Sequence, residues 1–430
     1  MSKSAAAVNR KNGSGVLFAS FGVWSFVLLC RPQDYVAFLS GLRPGITFGI
    51  VTLGLLLLNS GRIRLVASAG QTKTYTYLVV AMLLSVPFSY YPGGSFSEIC
   101  GYSAVVISFF LFYQLADSLE RLRMLLLSYC AGTAAYAVFM SFPENTGNAR
   151  MSFGSMFDPN DMAFYLISIF IFNLAFISKD NSRAIRLLAG ISFLICSIVI
   201  LQTGSRGGLI SFLAVIGCLL LTRQRAVKIS MVKKMVLLAA VLVSALFLNT
   251  DFERYKTLSD LRNDYNITDE TGRLSIWTTG IGLMLAHPVT GVGLGRFPEA
   301  VGLDRERRGL DSARWQTAHN SLIQIGAEVG VAGLLLFCLL SWRAYKIFGR
   351  IAEQSRNDAL AQISRMARIG FLGHLLSAMF LSQAYSVYWA FYIALSAVLG
   401  NLFSREAHPA ELPADEKAKT DIGNSFAYQS

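Results

Sequence analysis

Apolar stretches separated by short polar segments recur along most of the chain. A helix needs about 20 mostly apolar residues to cross a bilayer, and twelve stretches meet or approach that length. They lie at roughly 15–30, 45–59, 75–91, 97–116, 122–142, 162–178, 185–203, 207–222, 231–248, 320–342, 367–385 and 387–403. The pattern therefore predicts an all-α polytopic membrane protein with about 12 transmembrane helices.

Two segments break this pattern. Residues 249–318 form a long polar connection with an amphipathic stretch, and we expect that helix to lie on the membrane surface. Its apolar face comprises Leu274, Trp277, Ile281, Met284 and Leu285. Residues 404–430 carry few apolar side chains, which is typical of a disordered tail. The expected organisation is a transmembrane bundle over residues 1–403, with the 249–318 loop inserted between spans.

Composition and charge place the chain in a bilayer. Hydrophobic residues make up 53% and charged residues 15%, against about a quarter charged in soluble proteins. If the N-terminus is cytoplasmic, 25 of the 38 Lys and Arg residues lie on the cytoplasmic side. The 249–318 loop holds nine basic and ten acidic residues, so the net charge of +12 does not form a nucleic-acid surface there. We expect a lipid bilayer as partner, no nucleic acid, and both termini in the cytoplasm.

An arginine lies between two apolar runs in the segment Thr203-Gly204-Ser205-Arg206-Gly207-Gly208. Arg206 has almost no loop around it, which places it at the external membrane boundary. It either extends its charged end toward the interface or projects into a water-filled cavity that a substrate enters. On the second interpretation, the adjacent glycines allow a bulky ligand group to approach the backbone.

Two carboxylates flank Asn160 just before the sixth predicted span. Asp158 and Asp161 could together bind a metal ion. The stronger interpretation is a helix start, with Asp158 as N-cap, Pro159 at the first helical position and Asp161 at the third.

The external loop contains two further candidate features. Arg273 opens the amphipathic stretch, which would hold its guanidinium beside the bilayer. A glycine-rich segment from His287 to Arg296 follows, but it does not follow a strand and so lacks the context of a dinucleotide-binding motif. We expect these glycines to permit a tight turn back toward the membrane.

The most informative feature is the segment Ala318-His319-Asn320-Ser321-Leu322, which opens the span predicted at 320–342. His319 lies where external water meets the bilayer. Asn320, Gln324 and Glu328 recur every four residues and give the helix a polar stripe toward the bundle interior. Glu328 is too deep to orient His319 directly, and we expect it to hydrogen-bond another span.

These segments together resemble the O-antigen ligase and polymerase superfamily of bacterial envelope enzymes. The ordered set is GSMFDPNDMA, TGSRGG, TGRLSIW, HPVTGVGLGRF and AHNSLIQIGAEVGVAGLLLF, from about residue 150 to 342. In that family, a large periplasmic loop lies over a bundle of spans in the bacterial inner membrane. Its members transfer a glycan from undecaprenyl diphosphate to an acceptor hydroxyl.

The resemblance implies a role for three residues. His319 matches the family histidine and would act as catalytic base, whereas Arg206 and Arg273 match the arginines that would bind the substrate diphosphate. The residues expected to support the site are Asn320, Arg296, Asp158 and Asn160. A guanidinium binds phosphate oxygens in a fork, and histidine works as a base near neutral pH. We expect an inverting, metal-independent glycosyltransferase that uses no cofactor.

The motifs leave the acceptor open. A ligase transfers the glycan to lipid A–core, a polymerase to another carrier-linked repeat, and a third branch to a protein hydroxyl; we favour the ligase. The alternative from another class is a transporter or flippase for lipid-linked sugars. A transporter needs charge through the full depth of the bundle, whereas here the charges cluster on the external side, with Glu328 as a deeper exception.

Overall fold

Helices account for all the regular structure of the described chain. The computed structural model describes residues 3–59, 70–141, 158–222, 269, 272–309 and 315–407, and no strand occurs among them. The helices before residue 223 are α1 (Lys3–Cys30), α2 (Ala37–Gly41), α3 (Pro44–Leu58), α4 (Gly70–Ser85), α5 (Pro92–Leu115), α6 (Leu119–Met140), α7 (Pro159–Ile169), α8 (Asn173–Phe176), α9 (Arg183–Gln202) and α10 (Arg206–Leu221). Those after it are α11 (Arg273–Ala286), α12 (Phe297–Arg307), α13 (Ser321–Gln354), α14 (Asp358–Ala378) and α15 (Val387–Ala407).

Six helical segments are long and apolar enough to cross a membrane. They are Pro92–Leu115, Leu119–Met140, Pro159–Phe176, Arg183–Gln202, Ser321–Gln354 and Val387–Ala407. Three shorter apolar helices accompany them, at Gly15–Cys30, Pro44–Leu58 and Arg206–Leu221. The chain is thus a helical multi-pass membrane protein, as the pattern predicts. The count of twelve spans stays a prediction, because the span at 231–248 lies outside the described residues, as does the chain beyond residue 407.

The segment Pro159–Phe176 lies at the centre of the bundle. A short 3-10 turn at Phe170–Phe172 joins α7 to α8, and almost the whole segment is buried. Helices α6, α9, α10 and α14 pack around it. Its polar groups are paired inside the protein, since Ser168 Oγ lies 2.9 Å from His374 Nδ1. The polar residues at the start of α7, Asp158 to Asp161, therefore lie at the end of this central segment.

Helix α13 contains a break that receives part of the preceding loop. Gly330 has a φ of 80°, and the amide of Val331 donates to Pro288 O at 2.8 Å. The carbonyls of Ala327 and Glu328 accept from the amides of the loop, at 2.8 and 3.1 Å. The backbone groups that the break frees are therefore satisfied by another segment.

The glycine-rich loop approaches this break very closely. Gly291 has a φ of 67°, and a Cβ added there would meet the backbone carbon of Glu328 at 2.3 Å. Gly293 also has a positive φ, of 103°, and a Cβ there would collide with Ser89. These glycines therefore serve close backbone packing against α13 and the start of α5, and the turn that the sequence predicts is formed.

The span predicted at 367–385 has different boundaries in the structure. Helix α14 ends at Ala378, and residues 379–386 are not helical before α15 begins. The amides of Gln383 and Ala384 donate to the side chains of Ser321 and Gln324, at 3.0 and 3.1 Å. These amides therefore bond to side chains of α13, and they do not form the backbone hydrogen bonds that would continue α14. We call residues 379–386 the α14–α15 connection.

Candidate functional site

The starts of three helices meet the α14–α15 connection at one end of the bundle. Ser205, the N-cap of α10, donates its hydroxyl to Asn160 Oδ1 near the start of α7, at 2.8 Å. Gln383 Nε2 donates to Asp161 Oδ1 at 2.8 Å. The backbone amide of His319 donates to Ser382 Oγ, also at 2.8 Å. These bonds bring the FDPND, TGSRGG and HNS motifs together, although 45 to 222 residues separate the bonded partners.

Asp158 is the N-cap of α7, as the sequence predicts. Its Oδ1 accepts from the amides of Asn160 and Asp161, at 2.7 and 2.9 Å, and Pro159 occupies the first helical position. Its Oδ2 accepts from the side chain of Asn160 at 3.2 Å. Oδ1 of Asp158 thus caps the helix, and Oδ2 is bonded to the side chain of Asn160.

Arg206 is the first residue of α10 and is half-buried. Gly207 and Gly208 do not open space for a ligand, contrary to the interpretation from the sequence. A Cβ at Gly207 would meet Phe380 at 3.0 Å, and one at Gly208 would meet Ala163 at 2.6 Å. Both glycines instead let α10 start close against α7 and the α14–α15 connection.

His319 occupies a constrained turn directly before α13. Its φ of 46° lies in the left-handed region, which non-glycine residues seldom adopt. The bond to Ser382 holds its amide, while Nε2 lies 3.3 Å from the hydroxyl of Thr317. On the other side, Trp277 of α11 donates its indole to Ala318 O at 3.0 Å. The backbone at Ala318 and His319 is therefore held between α11 and the α14–α15 connection, and Thr317 contacts the imidazole.

The charges around His319 act on its pKa in opposite directions. Burial is the main effect, and the positive charge of Arg273 adds to it; both lower the pKa of the imidazole below its ordinary value. The carboxylate of Asp158 raises that pKa. Arg273, the first residue of α11, and the N-cap of α7 therefore both lie within electrostatic range of His319.

The polar stripe of α13 has three different partners. Asn320 is the N-cap and accepts from the amides of Leu322 and Ile323, at 3.0 and 3.1 Å. Gln324 accepts from the amide of Ala384. Glu328, which the sequence predicts to bond another span, interacts with Tyr385 of the α14–α15 connection and also accepts from loop amides.

Glu328 joins α13 to the start of α12. Its two carboxylate oxygens accept from the amides of Gly295 and Phe297, at 2.9 and 3.1 Å, and its side chain is buried. Phe297 is the first residue of α12, where a negative charge is favoured. The glycine-rich loop needs a buried acceptor because its amides are removed from water. Glu328 thus supports the loop that follows α11.

Arg296 makes ion pairs with carboxylates outside the predicted set of site residues. Its guanidinium contacts Glu299 and lies 3.2 Å from Glu98 Oε1. His287, the other histidine of this loop, lies 2.9 Å from the hydroxyl of Tyr90. These contacts attach the loop to the start of α5. Within the described part of the chain, neither side chain bonds to His319.

Helix α11 presents two apolar faces, not the single face that the sequence predicts. Ile276, Gly280 and Leu283 are buried, and Gly280 approaches Ile323 of α13 and Phe297 of α12. From the predicted face, Trp277 and Met284 are partly buried, since Met284 lies against Gly326. The exposed members are Leu274, Ile281 and Leu285. Contact between this exposed stripe and the membrane surface stays a prediction.

Sequence reasoning missed the α14–α15 connection. Ser382 and Gln383 hold His319 and Asp161, yet both fall inside the predicted 367–385 span. The signal was the run of polar side chains Ser382, Gln383, Tyr385 and Ser386, which is unfavourable in a lipid-facing helix.

Comparison with known proteins gives one result for this part of the chain. Residues 191–338 match the family model described as O-antigen ligase. A search of curated proteins finds no match. The matched range contains Arg206, Arg273 and His319, whereas Asp158, Asn160 and the α14–α15 connection lie outside it. Residues 191–338 are thus similar to the O-antigen ligase family, which confirms the resemblance drawn from the sequence motifs.

Proposed function

We propose that the chain transfers a glycan from undecaprenyl diphosphate to an acceptor hydroxyl on the periplasmic face, with lipid A–core as the favoured acceptor. The family match indicates a membrane glycosyltransferase of the O-antigen ligase or polymerase type. The observation that carries the proposal is the placement of His319 in electrostatic range of Arg273, at the point where α7, α10 and α13 begin. A reconstituted transfer assay, set out at the end of the Discussion, tests it.

The two arginines would bind the leaving group. As the bond between the anomeric carbon and the diphosphate oxygen breaks, negative charge builds up on the diphosphate. A guanidinium remains charged at any working pH and binds two phosphate oxygens at once. Arg206 and Arg273 begin α10 and α11, and helix starts carry positive partial charge, which adds to this stabilisation.

His319 would take the proton of the acceptor hydroxyl. The acceptor oxygen forms a bond with the anomeric carbon as the diphosphate leaves from the opposite face, so the configuration at that carbon is inverted. The proton moves from the hydroxyl to the imidazole, which must be neutral to accept it. Burial and the charge of Arg273 favour the neutral imidazole.

The pH dependence of transfer should change in opposite directions in two variants. Arg273→Gln removes a charge that lowers the pKa of His319, so the acid limb of the pH–rate profile should move to higher pH. Asp158→Asn removes a charge that raises this pKa and keeps a good helix cap, so the limb should move to lower pH. Profiles of kcat/KM between pH 4 and 9, a range chosen around the ordinary histidine pKa of about 6.5, measure both shifts. Movement in the same direction would contradict the role of His319 as base.

Transfer should not require a divalent metal ion. Two or more oxygen ligands would have to converge to hold one, but Asp158 caps α7 and Asp161 accepts from Gln383. We expect treatment with EDTA to leave the transfer rate within about twofold, because Arg206 and Arg273 supply the positive charge. Loss of activity that Mg²⁺ or Mn²⁺ restores would overturn this, and Asp158 and Asp161 would then be tested as ligands.

The proposed orientation places His319 in the periplasm and both termini in the cytoplasm. Arg308 follows α12 in the predicted external loop, and Arg356 follows α13 at its far end; both are exposed. In a background without native cysteines, an impermeant thiol reagent should label Arg308→Cys on intact spheroplasts. Arg356→Cys should react only after permeabilisation. The reverse pattern would place the site on the cytoplasmic side.

A further inference from the structure

A cavity lies at the opposite end of the bundle from His319. It has a volume of about 590 Å³ and is bounded by α4, α5, α13 and α15. Arg343 and Lys346 of α13 line the cavity, and they lie roughly 30 Å along the helix from Ser321. The cavity is thus separate from the proposed transfer site, and the proposed orientation places it in the cytoplasmic leaflet.

Positive charge dominates the wall of this cavity. Arg343 and Lys346 lie one turn apart on α13 and both line it, and no acidic residue occurs among the described residues of the lining. Arg343 donates from one terminal nitrogen of its guanidinium to Thr74 Oγ1 of α4 at 2.7 Å, which fixes that end of the group. The Lys346 ammonium lies 5.6 Å from the ring centre of Trp342. This arrangement suits an anionic group such as a phosphate.

One residue that lines the cavity, Gln71, carries a buried hydrogen-bond acceptor. Gln71 of α4 is only 3% exposed, and its Nε2 donates to Ser396 Oγ at 2.9 Å and to Leu340 O at 3.3 Å. Its Oε1 has no partner within the described part of the chain. Buried polar atoms are almost always paired, so this oxygen calls for a ligand that donates a hydrogen bond. Its two donor bonds fix which end of the amide is the oxygen.

An exposed apolar stripe leads along α13 to the cavity. Leu335 is 63%, Leu339 39% and Trp342 61% exposed, and their spacing of four and three residues places them on one helical face. In a membrane protein, such a face contacts acyl chains. Basic pockets between transmembrane helices on the cytoplasmic side are known to hold lipid headgroups.

We propose that this cavity binds the headgroup of a glycerophospholipid. The phosphate would contact Arg343 and Lys346, a hydroxyl or ammonium of the headgroup would donate to Gln71 Oε1, and the acyl chains would follow the exposed stripe. Phosphatidylglycerol supplies hydroxyl donors, and phosphatidylethanolamine supplies an ammonium. Phosphatidylcholine carries the phosphate without a headgroup donor, and diacylglycerol lacks the phosphate.

Native mass spectrometry of the purified full chain, titrated with these four lipids, tests the proposal. We expect phosphatidylglycerol or phosphatidylethanolamine to bind most tightly, phosphatidylcholine more weakly and diacylglycerol least. A basic residue near an anionic headgroup is worth about fivefold in binding, so Arg343→Gln with Lys346→Gln should weaken phosphatidylglycerol binding about 25-fold.

The matched control removes the same charge outside the cavity. Arg350 and Arg356 lie near the same end of α13 and do not line the cavity, so their double replacement by Gln should change binding less than about twofold. If the first double variant fails to fold, Lys346→Gln alone should weaken binding about fivefold, since this side chain is exposed. Equal losses in the cavity and control variants, or equal binding of all four lipids, would overturn the proposal. Because binding is measured without transfer, the result is independent of the proposed function.

Discussion

Replacement of His319 by Ala is expected to reduce glycan transfer by about 10²- to 10⁴-fold, the contribution of one positioned general base. Binding of the lipid-linked donor should change little, because the arginines and their helices remain. Single-turnover transfer and donor binding, measured separately, distinguish these effects. The matched control is His287→Ala, which removes the imidazole of the external loop that pairs with Tyr90. Transfer by His319→Ala at the wild-type rate would remove the assignment of the base.

The bond that holds His319 allows a graded test of the same assignment. Ser382→Ala removes the hydroxyl that accepts from the His319 amide, and one such bond is worth about fivefold. We expect kcat to fall by about that factor while the KM for the donor stays constant, and Ser382→Thr, which keeps the hydroxyl, to recover most of the loss. A rise in KM alone, or no recovery in Ser382→Thr, would show that Ser382 does not position the imidazole.

Arg206→Lys and Arg273→Lys should each lower transfer by about 10- to 100-fold, the range expected for loss of a charged hydrogen bond. Lysine keeps the charge but cannot contact two phosphate oxygens in a fixed fork. The control is Arg308→Lys, since Arg308 is 58% exposed and pairs with Asp304. Competition by undecaprenyl diphosphate itself, measured for each variant, reports binding of the leaving group.

The two lysine variants also separate geometry from net charge. If both retain the wild-type transfer rate while Arg206→Gln and Arg273→Gln lose it, positive charge alone is sufficient for transfer. The hypothesis of a bidentate contact with the diphosphate would then be wrong. If the lysine variants fail in transfer but bind undecaprenyl diphosphate normally, the arginines act elsewhere than on the diphosphate. Loss of both transfer and binding is the outcome that the proposal predicts.

The sequence correctly predicted helix starts, which depend on contacts between neighbouring residues. Asp158, Pro159 and Asp161 occupy the first positions of α7 as predicted, because N-cap and first-turn preferences act within one turn. The same holds for the start of α11 at Arg273. Each of these assignments rests on contacts within a few residues.

Long-range contacts could not be predicted in the same way. The bond between His319 and Ser382 joins residues 63 positions apart, and no pattern along the chain indicates which polar group meets which. Average apolarity over a long window merged the α14–α15 connection into a span, although its amides bond to α13. The break at Gly330 was equally hidden, because glycine is common in membrane helices and the loop that fills the break lies in a separate segment.

The most direct test of the account is transfer by the purified chain in vesicles, supplied with undecaprenyl-diphosphate glycan and one acceptor at a time. The acceptors are lipid A–core, a second carrier-linked glycan and an unfolded protein rich in serine. The account predicts a new glycosidic bond of inverted configuration at the acceptor hydroxyl, with lipid A–core preferred and free undecaprenyl diphosphate released. Movement of the donor across the bilayer with its glycan still attached, and no product with any acceptor, would contradict it and identify a transporter.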